Sequence, residues 1–141
     1  MSLFYKIHLG SIIEQRIKEL DCDTKKLCNF LKITETELLE IYKKDSLESS
    51  LILKFSKILD YDFFRIYTQH LILHSSKDNK NKLQNTIKTS LPNFKKNVYT
   101  QEIIDYILSK ITSKEMTPYE IIKRYNIPKT TLYKWIKKYS N

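Results

Sequence analysis

The sequence has few of the residues that build tight turns, cross-links and membrane spans. A single Gly and three Pro among 141 residues argue against a turn-rich all-β fold and against Gly-rich disorder. Cys22 and Cys28 are too few to cross-link a secreted scaffold and do not form a zinc pattern, so we expect reduced thiols. No apolar run approaches the length of a membrane span, and the amino terminus lacks the pattern of a signal peptide. These absences favour an all-α cytoplasmic protein that does not bind membranes.

Motifs for catalysis and cofactor binding are also missing. The chain has no Gly-rich phosphate loop and no Ser/His/Asp or Cys/His arrangement in a recognisable context. His70 and His74 are four residues apart, but no carboxylate or thiol is spaced to complete a metal site with them. We therefore expect a protein that is not an enzyme and that has no metal, no cofactor and no small-molecule ligand.

The positive charge is concentrated in the second half of the chain. Residues 1–75 hold 11 Lys and Arg against 11 Asp and Glu, whereas residues 76–141 hold 14 against 5 and so carry the whole net charge of +9. A basic segment binds polyanions by releasing their counterions, which makes nucleic acid the expected partner. An anionic membrane is a poorer candidate, because the apolar positions beneath this charge are needed for a small core.

Residues 117–139, TPYEIIKRYNIPKTTLYKWIKKY, carry the signals of a helix-turn-helix. Thr117 can cap a first helix that begins at Pro118, and Glu120 is placed to complete a capping box with Thr117. Asn126 follows where the chain must turn, because Asn tolerates the left-handed backbone conformation. Apolar residues at helical spacing then predict the inward face of a second helix: Ile127, Leu132, Trp135, Ile136 and Tyr139.

The outward face of this second helix contains no carboxylate. It is predicted to present Lys129, Thr130, Thr131, Tyr133, Lys134, Lys137 and Lys138. Lysines can neutralise phosphates or bind guanine, and threonines can hydrogen-bond base edges or contact a thymine methyl group. We expect these residues to bind double-stranded DNA in the major groove. The alternative is a merely solvated face of a helical hairpin.

The first half of the chain predicts a domain of five short helices over residues 1–74. The helices are expected over residues 10–20, from a cap at Thr24, from a capping box of Thr34 and Glu37, over about 48–59, and from Asp62. Over residues 9 to about 73 this pattern resembles the Cro/CI repressor-like (XRE) family. The resemblance is carried by Leu9 and Gly10, by Leu27, Cys28, Leu31 and Ile33 across the turn, by Leu38 and Ile41, and by LKFSKILDYD. Cys28 replaces the usual small Ala of that family, and Lys32 replaces its turn Gly.

An internal repeat relates the two halves, because residues 27–44 align without gaps on residues 121–138. The apolar positions agree, but the outward positions have opposite character: Glu35 aligns with Lys129, Glu37 with Thr131 and Glu40 with Lys134. Three carboxylates directed at phosphates would repel DNA. The first hairpin is therefore expected to support the fold or to form a dimer, rather than to read DNA as the repressor family does.

The segment YDFFRIYTQHLIL has more apolar surface than one helix face needs. It either closes the N-terminal core or exposes a patch for self-association. Under the second interpretation the interface residues are Phe63, Phe64, Tyr67 and Leu71. Because two-fold dimers are common among DNA-binding modules of this kind, a homodimer is expected.

Residues 75–98 are rich in Asn, Lys, Ser and Thr and predict a polar basic linker. Within it, Lys95 and Lys96 could follow the DNA backbone as an arm, although a solvated tether is the alternative. Residues 99–141 are then expected to form a second domain, in which a helix over 100–111 packs against the helix-turn-helix.

From residue 91 to 141 the sequence looks like the helix-turn-helix units found at the front of insertion-sequence transposases and in short bacterial derivatives of them. The string IPKTTLYKWIKKY is the most specific part of this resemblance, although Pro128 occupies a position where a Ser or Thr cap is usual. The resemblance implies recognition of transposon ends or promoters by Lys129, Thr130, Thr131, Tyr133 and Lys134.

Three function classes follow from these patterns. The leading one is a dimeric, sequence-specific DNA-binding protein, expected to be a bacterial transcriptional regulator associated with the nucleoid when bound. The second is a non-catalytic accessory or relic of a transposition system, and the third is a protein–protein adaptor. Salt-dependent DNA binding separates the first two classes from the third.

Overall fold

A computed structural model describes residues 2–74, 88–92 and 98–139. Within these ranges the regular structure is helical and no strand is present, which confirms the all-α prediction. The helices are α1 Ser2–Tyr5, α2 Leu9–Glu19, α3 Thr24–Leu31, α4 Glu35–Tyr42, α5 Ser49–Ile58, α6 Phe64–His74, α7 Gln101–Thr112, α8 Pro118–Tyr125 and α9 Lys129–Tyr139. None of the described helices combines the length and apolar character that crossing a membrane requires.

The chain divides into two compact units, an N-terminal unit of Ser2–Thr68 and a C-terminal unit of Gln69–Asn141. The division therefore falls inside α6, six residues before the domain boundary predicted at residue 74. Most of the predicted linker, residues 75–87 and 93–97, lies outside the described residues.

The core of the N-terminal unit is formed by its amphipathic helices, which bury apolar side chains along one face. A spacing of four residues places Leu9, Ile13 and Ile17 on one face of α2, and the shorter helices that follow also bury one apolar face. The core contains Phe4, Leu9, Ile13, Ile17, Leu27, Cys28, Leu31, Leu38, Ile41, Ile52, Phe55, Leu59, Phe63 and Ile66. Burial also raises the pKa of the Cys28 thiol, with a smaller contribution from Glu35.

Side-chain caps fix where α3 and α4 begin. Asp23, rather than Thr24, caps α3: its Oδ1 accepts a hydrogen bond from the Lys25 N–H at 3.0 Å. A carboxylate is a better acceptor than a hydroxyl at the positive end of a helix, so the cap lies one residue earlier than predicted. For α4 the predicted capping box is confirmed, with Thr34 N–H donating to Glu37 at 2.7 Å and Glu37 N–H donating to Thr34 at 3.1 Å.

The C-terminal unit has a smaller core, formed by one face each of α7, α8 and α9. Its fully buried members are Ile103, Ile107, Ile121, Ile127 and Leu132. Gln69 of α6 is also buried, at 1% exposure. Its amide donates to the Val98 carbonyl at 2.6 Å and accepts from the Thr100 N–H at 3.0 Å. Because both of its polar groups are paired, Gln69 can be buried at low cost while it fixes the segment that caps α7.

Candidate nucleic-acid interface

The helix-turn-helix of the C-terminal unit is formed by α8, a short turn and α9. Thr117 caps α8, and Pro118 occupies the first helical position, where its missing N–H is not needed. The predicted capping box is confirmed, since Thr117 N–H donates to Glu120 Oε2 at 2.7 Å and Glu120 N–H donates to Thr117 Oγ1 at 3.3 Å. Asn126 ends α8 in the left-handed conformation, with a φ of 53°. These local signals, all readable in the sequence, fix where α8 begins and ends.

The two hairpins of the chain have matching boundaries. The first helices of the two hairpins begin at Thr24 and Pro118, which are 94 residues apart. The second helices begin at Glu35 and Lys129, with the same separation. The aligned turn residues, Lys32 and Asn126, are both left-handed, with φ values of 57° and 53°. The repeat seen in the sequence is therefore a repeat of backbone structure.

The inward face of α9 is confirmed for its first half and corrected at its end. Leu132 is fully buried and Ile127, in the turn, is 1% exposed. Trp135 is half-buried and makes an edge-to-face contact with Tyr99, with 5.0 Å between ring centroids. Tyr139 is 39% exposed, so the last turn of α9 is less buried than predicted.

The outward face of α9 carries most of the side chains predicted to bind DNA. Residues Lys129, Thr130, Tyr133, Lys134, Lys137 and Lys138 are exposed. Thr131 is only half-buried rather than fully exposed, because it precedes Leu132 and lies one turn before Trp135 at the edge of the apolar stripe. The Lys129 ammonium lies 5.9 Å from the centre of the Tyr133 ring, within range of a cation–π interaction.

The four carboxylates in the described part of this unit lie on α7, α8 and the turn between them, and three of them have local partners. Glu115 accepts a hydrogen bond from Lys110 at 2.6 Å, and this contact lowers the pKa of Glu115 and raises the pKa of Lys110. Glu120 is held in the capping box, where the Thr117 N–H lowers its pKa. Asp105 accepts from the Gln101 amide at 2.9 Å. The cationic face of α9 is therefore not neutralised from within its own helix.

Three exposed residues of α8 were not included among the predicted site residues. Tyr119 is 72% exposed, and Lys123 and Arg124 are exposed in the last turn of the helix. The Arg124 guanidinium lies 5.9 Å from the centre of the Tyr125 ring. Burial raises the pKa of Tyr125, as does its hydrogen-bonded neighbour Tyr106. Lys123 and Arg124 could have been identified from the sequence, because basic residues are favoured at a helix C-terminus. There they add to the positive charge of the hairpin.

The outward face of the N-terminal hairpin has a different chemistry. Glu35, Glu37 and Glu40 are exposed on α4, with Glu37 tied to the Thr34 N–H and Glu40 paired with Lys43 at 2.9 Å. Leu39, which aligns with Tyr133, is 57% exposed. The same backbone therefore presents carboxylates and an apolar side chain in one hairpin and lysines in the other.

The predicted self-association patch on α6 requires a correction. Phe63 is fully buried in the N-terminal core, because it precedes the first turn of α6 and faces inward with Ile66. Phe64 and Tyr67 are half-buried, and only Leu71 is well exposed, at 58%. Burial and the nearby Asp45 carboxylate raise the pKa of Tyr67. Of the two alternatives for this segment, closing a core is the one that accounts for Phe63.

Two further predictions concern residues near the hairpin. Lys95 and Lys96 lie outside the described residues, so the proposed DNA-binding arm stays a prediction. The His70 and His74 rings are 4.7 Å apart, and burial, His70 and Arg124 all lower the pKa of His74. Within the described ranges, no group of three or more His, Cys, Asp or Glu side chains is arranged to hold a metal ion.

A scan against protein-family models, a search of curated proteins and a search of solved structures each found no match to this chain. The assignment of a function therefore depends on the chemistry of the two hairpins.

Proposed function

We propose that this chain is a sequence-specific double-stranded DNA-binding protein that places α9 in the major groove. One observation carries the proposal: two hairpins with the same helix boundaries and the same turn conformation differ in the charge of their outward faces, with Glu35 and Glu40 at the positions of Lys129 and Lys134. The backbone of the hairpin does not require lysines on the outward face of α9, since α4 has the same helix boundaries and carries glutamates at aligned positions. A cationic helix at the end of a helix-turn-helix is suited to the polyanionic groove.

The side chains of α9 divide into two roles in this proposal. Lys129, Lys134 and Lys137 neutralise phosphates or bind guanine, while Thr130 and Tyr133 contact base edges or the sugar–phosphate backbone. Pro128 precedes α9 and has no side-chain acceptor, unlike Thr34 before α4. The first-turn N–H groups of α9 can then donate to a DNA phosphate, as helix N-termini do with anions.

In the full proposal the N-terminal unit dimerises the protein, and the dimer acts as a bacterial transcriptional regulator. A non-catalytic accessory of a transposition system would use the same DNA-binding face. Under either role the ligand is duplex DNA and the binding helix is α9. Selection of bound sequences from random duplex DNA would report the preferred DNA sequence and its symmetry.

A charge reversal at aligned positions tests the proposal. Lys137→Glu on α9 should weaken binding to a selected duplex by about tenfold or more, because it replaces an attraction to phosphate with a repulsion. Lys43→Glu makes the identical change at the aligned position of α4 and should leave affinity within about twofold, since that helix does not enter the groove. Fluorescence anisotropy with labelled duplex measures both variants.

Equal losses from both variants would show that the two hairpins share the DNA, and a loss from Lys43→Glu alone would assign binding to the N-terminal hairpin. Absence of salt-dependent binding by the wild-type chain would favour a protein–protein adaptor instead.

A further inference from the structure

An apolar groove on the N-terminal unit is not used by the proposed DNA-binding face. It lies between the turn after α2, one face of α3 and the last turn of α5, and its volume is about 450 Å³. The lining residues are Cys22, Asp23, Lys26, Leu27, Phe30, Lys57 and Ile58. On α3 the spacing of residues 23, 26, 27 and 30 follows one helix face, so the groove has a continuous helical wall.

Phe30 is the most unusual residue of this groove, because 73% of its side chain is exposed. The aligned position in the C-terminal hairpin is Arg124, also exposed. The hairpin therefore folds without an apolar residue at this position, and the core of the N-terminal unit does not account for Phe30. An exposed aromatic ring beside an apolar concavity is typical of a binding surface.

We infer that this groove is the dimer interface, with Phe30 of each copy entering the groove of the other across a two-fold axis. A two-fold interface uses one patch on both subunits, so the patch must carry both a projection and a cavity that receives it. In this patch the projection is the Phe30 side chain, and the cavity is the space beside Cys22, Leu27 and Ile58.

The charges at the rim are complementary to those of a second copy. Lys26 and Lys57 are cationic and Asp23 is anionic, so the Asp23 carboxylate of each subunit can meet a lysine of the other. Lysine stems can also cover apolar surface while their ammonium groups stay in water. A rim of lysines alone would repel an identical copy, and the Asp23 carboxylate offsets part of that repulsion.

The exposed apolar surface continues beyond the groove. Leu53 lies one turn before Lys57 on α5 and is 47% exposed, and Leu20 lies two residues before Cys22 and is 42% exposed. A small-molecule site is a poorer fit to the groove, because such sites usually contain several convergent polar groups. Here the lining side chains are mostly apolar, and Asp23 uses Oδ1 to cap α3 by accepting from the Lys25 N–H, which leaves its second carboxylate oxygen for a lysine of a second copy.

The inference rests on the dimerisation included in the proposed function, and it names the surface through which the two copies contact each other. It is tested with the full chain in the absence of DNA, so a negative result leaves DNA binding by α9 intact. Conversely, if the chain proves not to bind DNA, its oligomeric state can still be measured in the same way.

Sedimentation equilibrium of the wild-type chain should give a mass twice that of the 17.0 kDa monomer at micromolar concentration. Phe30→Glu should raise the dimer dissociation constant by at least about 30-fold, the effect of losing a single aromatic hot spot, because each dimer loses two Phe30 rings. Leu39→Glu removes an exposed apolar residue of α4 that does not line the groove, and it should dimerise like the wild type. Phe30→Tyr retains the ring and should also dimerise.

Circular dichroism checks that Phe30→Glu is folded, which its exposed position favours. A wild-type chain that stays monomeric at about 100 μM would overturn the inference and leave the groove to another occupant. It would equally be overturned if Phe30→Glu dimerised with the wild-type dissociation constant, or if Leu39→Glu lost dimerisation to the same extent.

Discussion

At the scale of single residues, Gly10 shows how closely two helix ends approach in the N-terminal unit. The Leu9 and Gly10 N–H groups at the start of α2 each donate at 2.9 Å, to the carbonyls of Asp45 and Lys44 beyond α4. A Cβ added at Gly10 would overlap the Ile41 carbonyl oxygen and lie 2.6 Å from the Lys44 carbonyl oxygen. Backbone atoms cannot move away as the end of a flexible side chain can.

Gly10→Ala should therefore lower the free energy of unfolding of the N-terminal unit by about 1–3 kcal/mol, the usual cost of overpacking. Urea denaturation followed by circular dichroism measures this loss. Gln15→Ala, an exposed position of the same helix, should change stability by no more than about 0.5 kcal/mol. A Gly10→Ala protein as stable as the wild type would mean that α2 and α4 separate easily.

Single residues also show where sequence reasoning was accurate and where it was not. Asn126 and Pro118 were placed correctly, because their conformational preferences are local and depend on their own backbone. For Phe63 the sequence left core closure and an exposed patch as alternatives, and its full burial could not be predicted because it depends on residues distant in sequence. Thr131 and Tyr139 differ from their predicted exposure because a helix wheel does not show how closely the neighbouring helices approach each side chain.

At the scale of elements, both capping boxes were predicted because each needs only two residues at a fixed spacing. The helix boundaries of the two hairpins followed from these caps to within a residue. The short helix α1 was not predicted, since four residues carry no periodicity that a sequence pattern can reveal.

The capping box of α8 should make the C-terminal unit sensitive to acid. The Thr117 N–H lowers the pKa of Glu120, so the ionised carboxylate stabilises the folded unit. This stabilisation is complete above the ordinary glutamate value of about 4.3 and is lost as the pH falls through the lower folded value. Trp135 is the single tryptophan of the chain, so its fluorescence follows unfolding of this unit.

The melting temperature reported by Trp135 should therefore fall as the pH is lowered from about 4.3 towards 3, and it should fall less in Glu120→Gln. Glutamine keeps a side-chain acceptor in the capping box but does not titrate. The matched variant Glu37→Gln makes the same change in the N-terminal capping box and should leave the acid response of Trp135 unaltered. An acid response as large in Glu120→Gln as in the wild type would exclude the capping box as its cause.

At the scale of the whole chain, the buried Gln69 makes a contact that the sequence does not reveal. Composition suggested a boundary where polar residues begin after α6, whereas the units divide inside α6 at Gln69. The hydrogen bonds of Gln69 reach residues 29 and 31 positions away, Val98 and Thr100. A pairing over that distance has no periodicity or spacing by which it can be recognised.

The charge asymmetry of the chain, in contrast, was readable from the sequence and has a quantitative consequence for the proposed DNA binding. Each phosphate neutralised by a lysine releases counterions and adds about −0.9 to the slope of log affinity against log salt concentration. If Lys129, Lys134 and Lys137 each contact a phosphate, one α9 helix gives a slope of about −3, and two helices of a dimer on one site give about −5.

Lys137→Gln should reduce the magnitude of this slope by about 1 for each bound α9 helix, because it removes one phosphate contact without introducing a repulsion. Lys43→Gln at the aligned position of α4 should leave the slope unchanged. Anisotropy titrations from about 50 to 200 mM salt measure both. A wild-type slope near zero would mean that lysines do not contact phosphates. Equal changes from the two variants would mean that the acidic hairpin also lies against DNA, contrary to the opposite charge of the two faces.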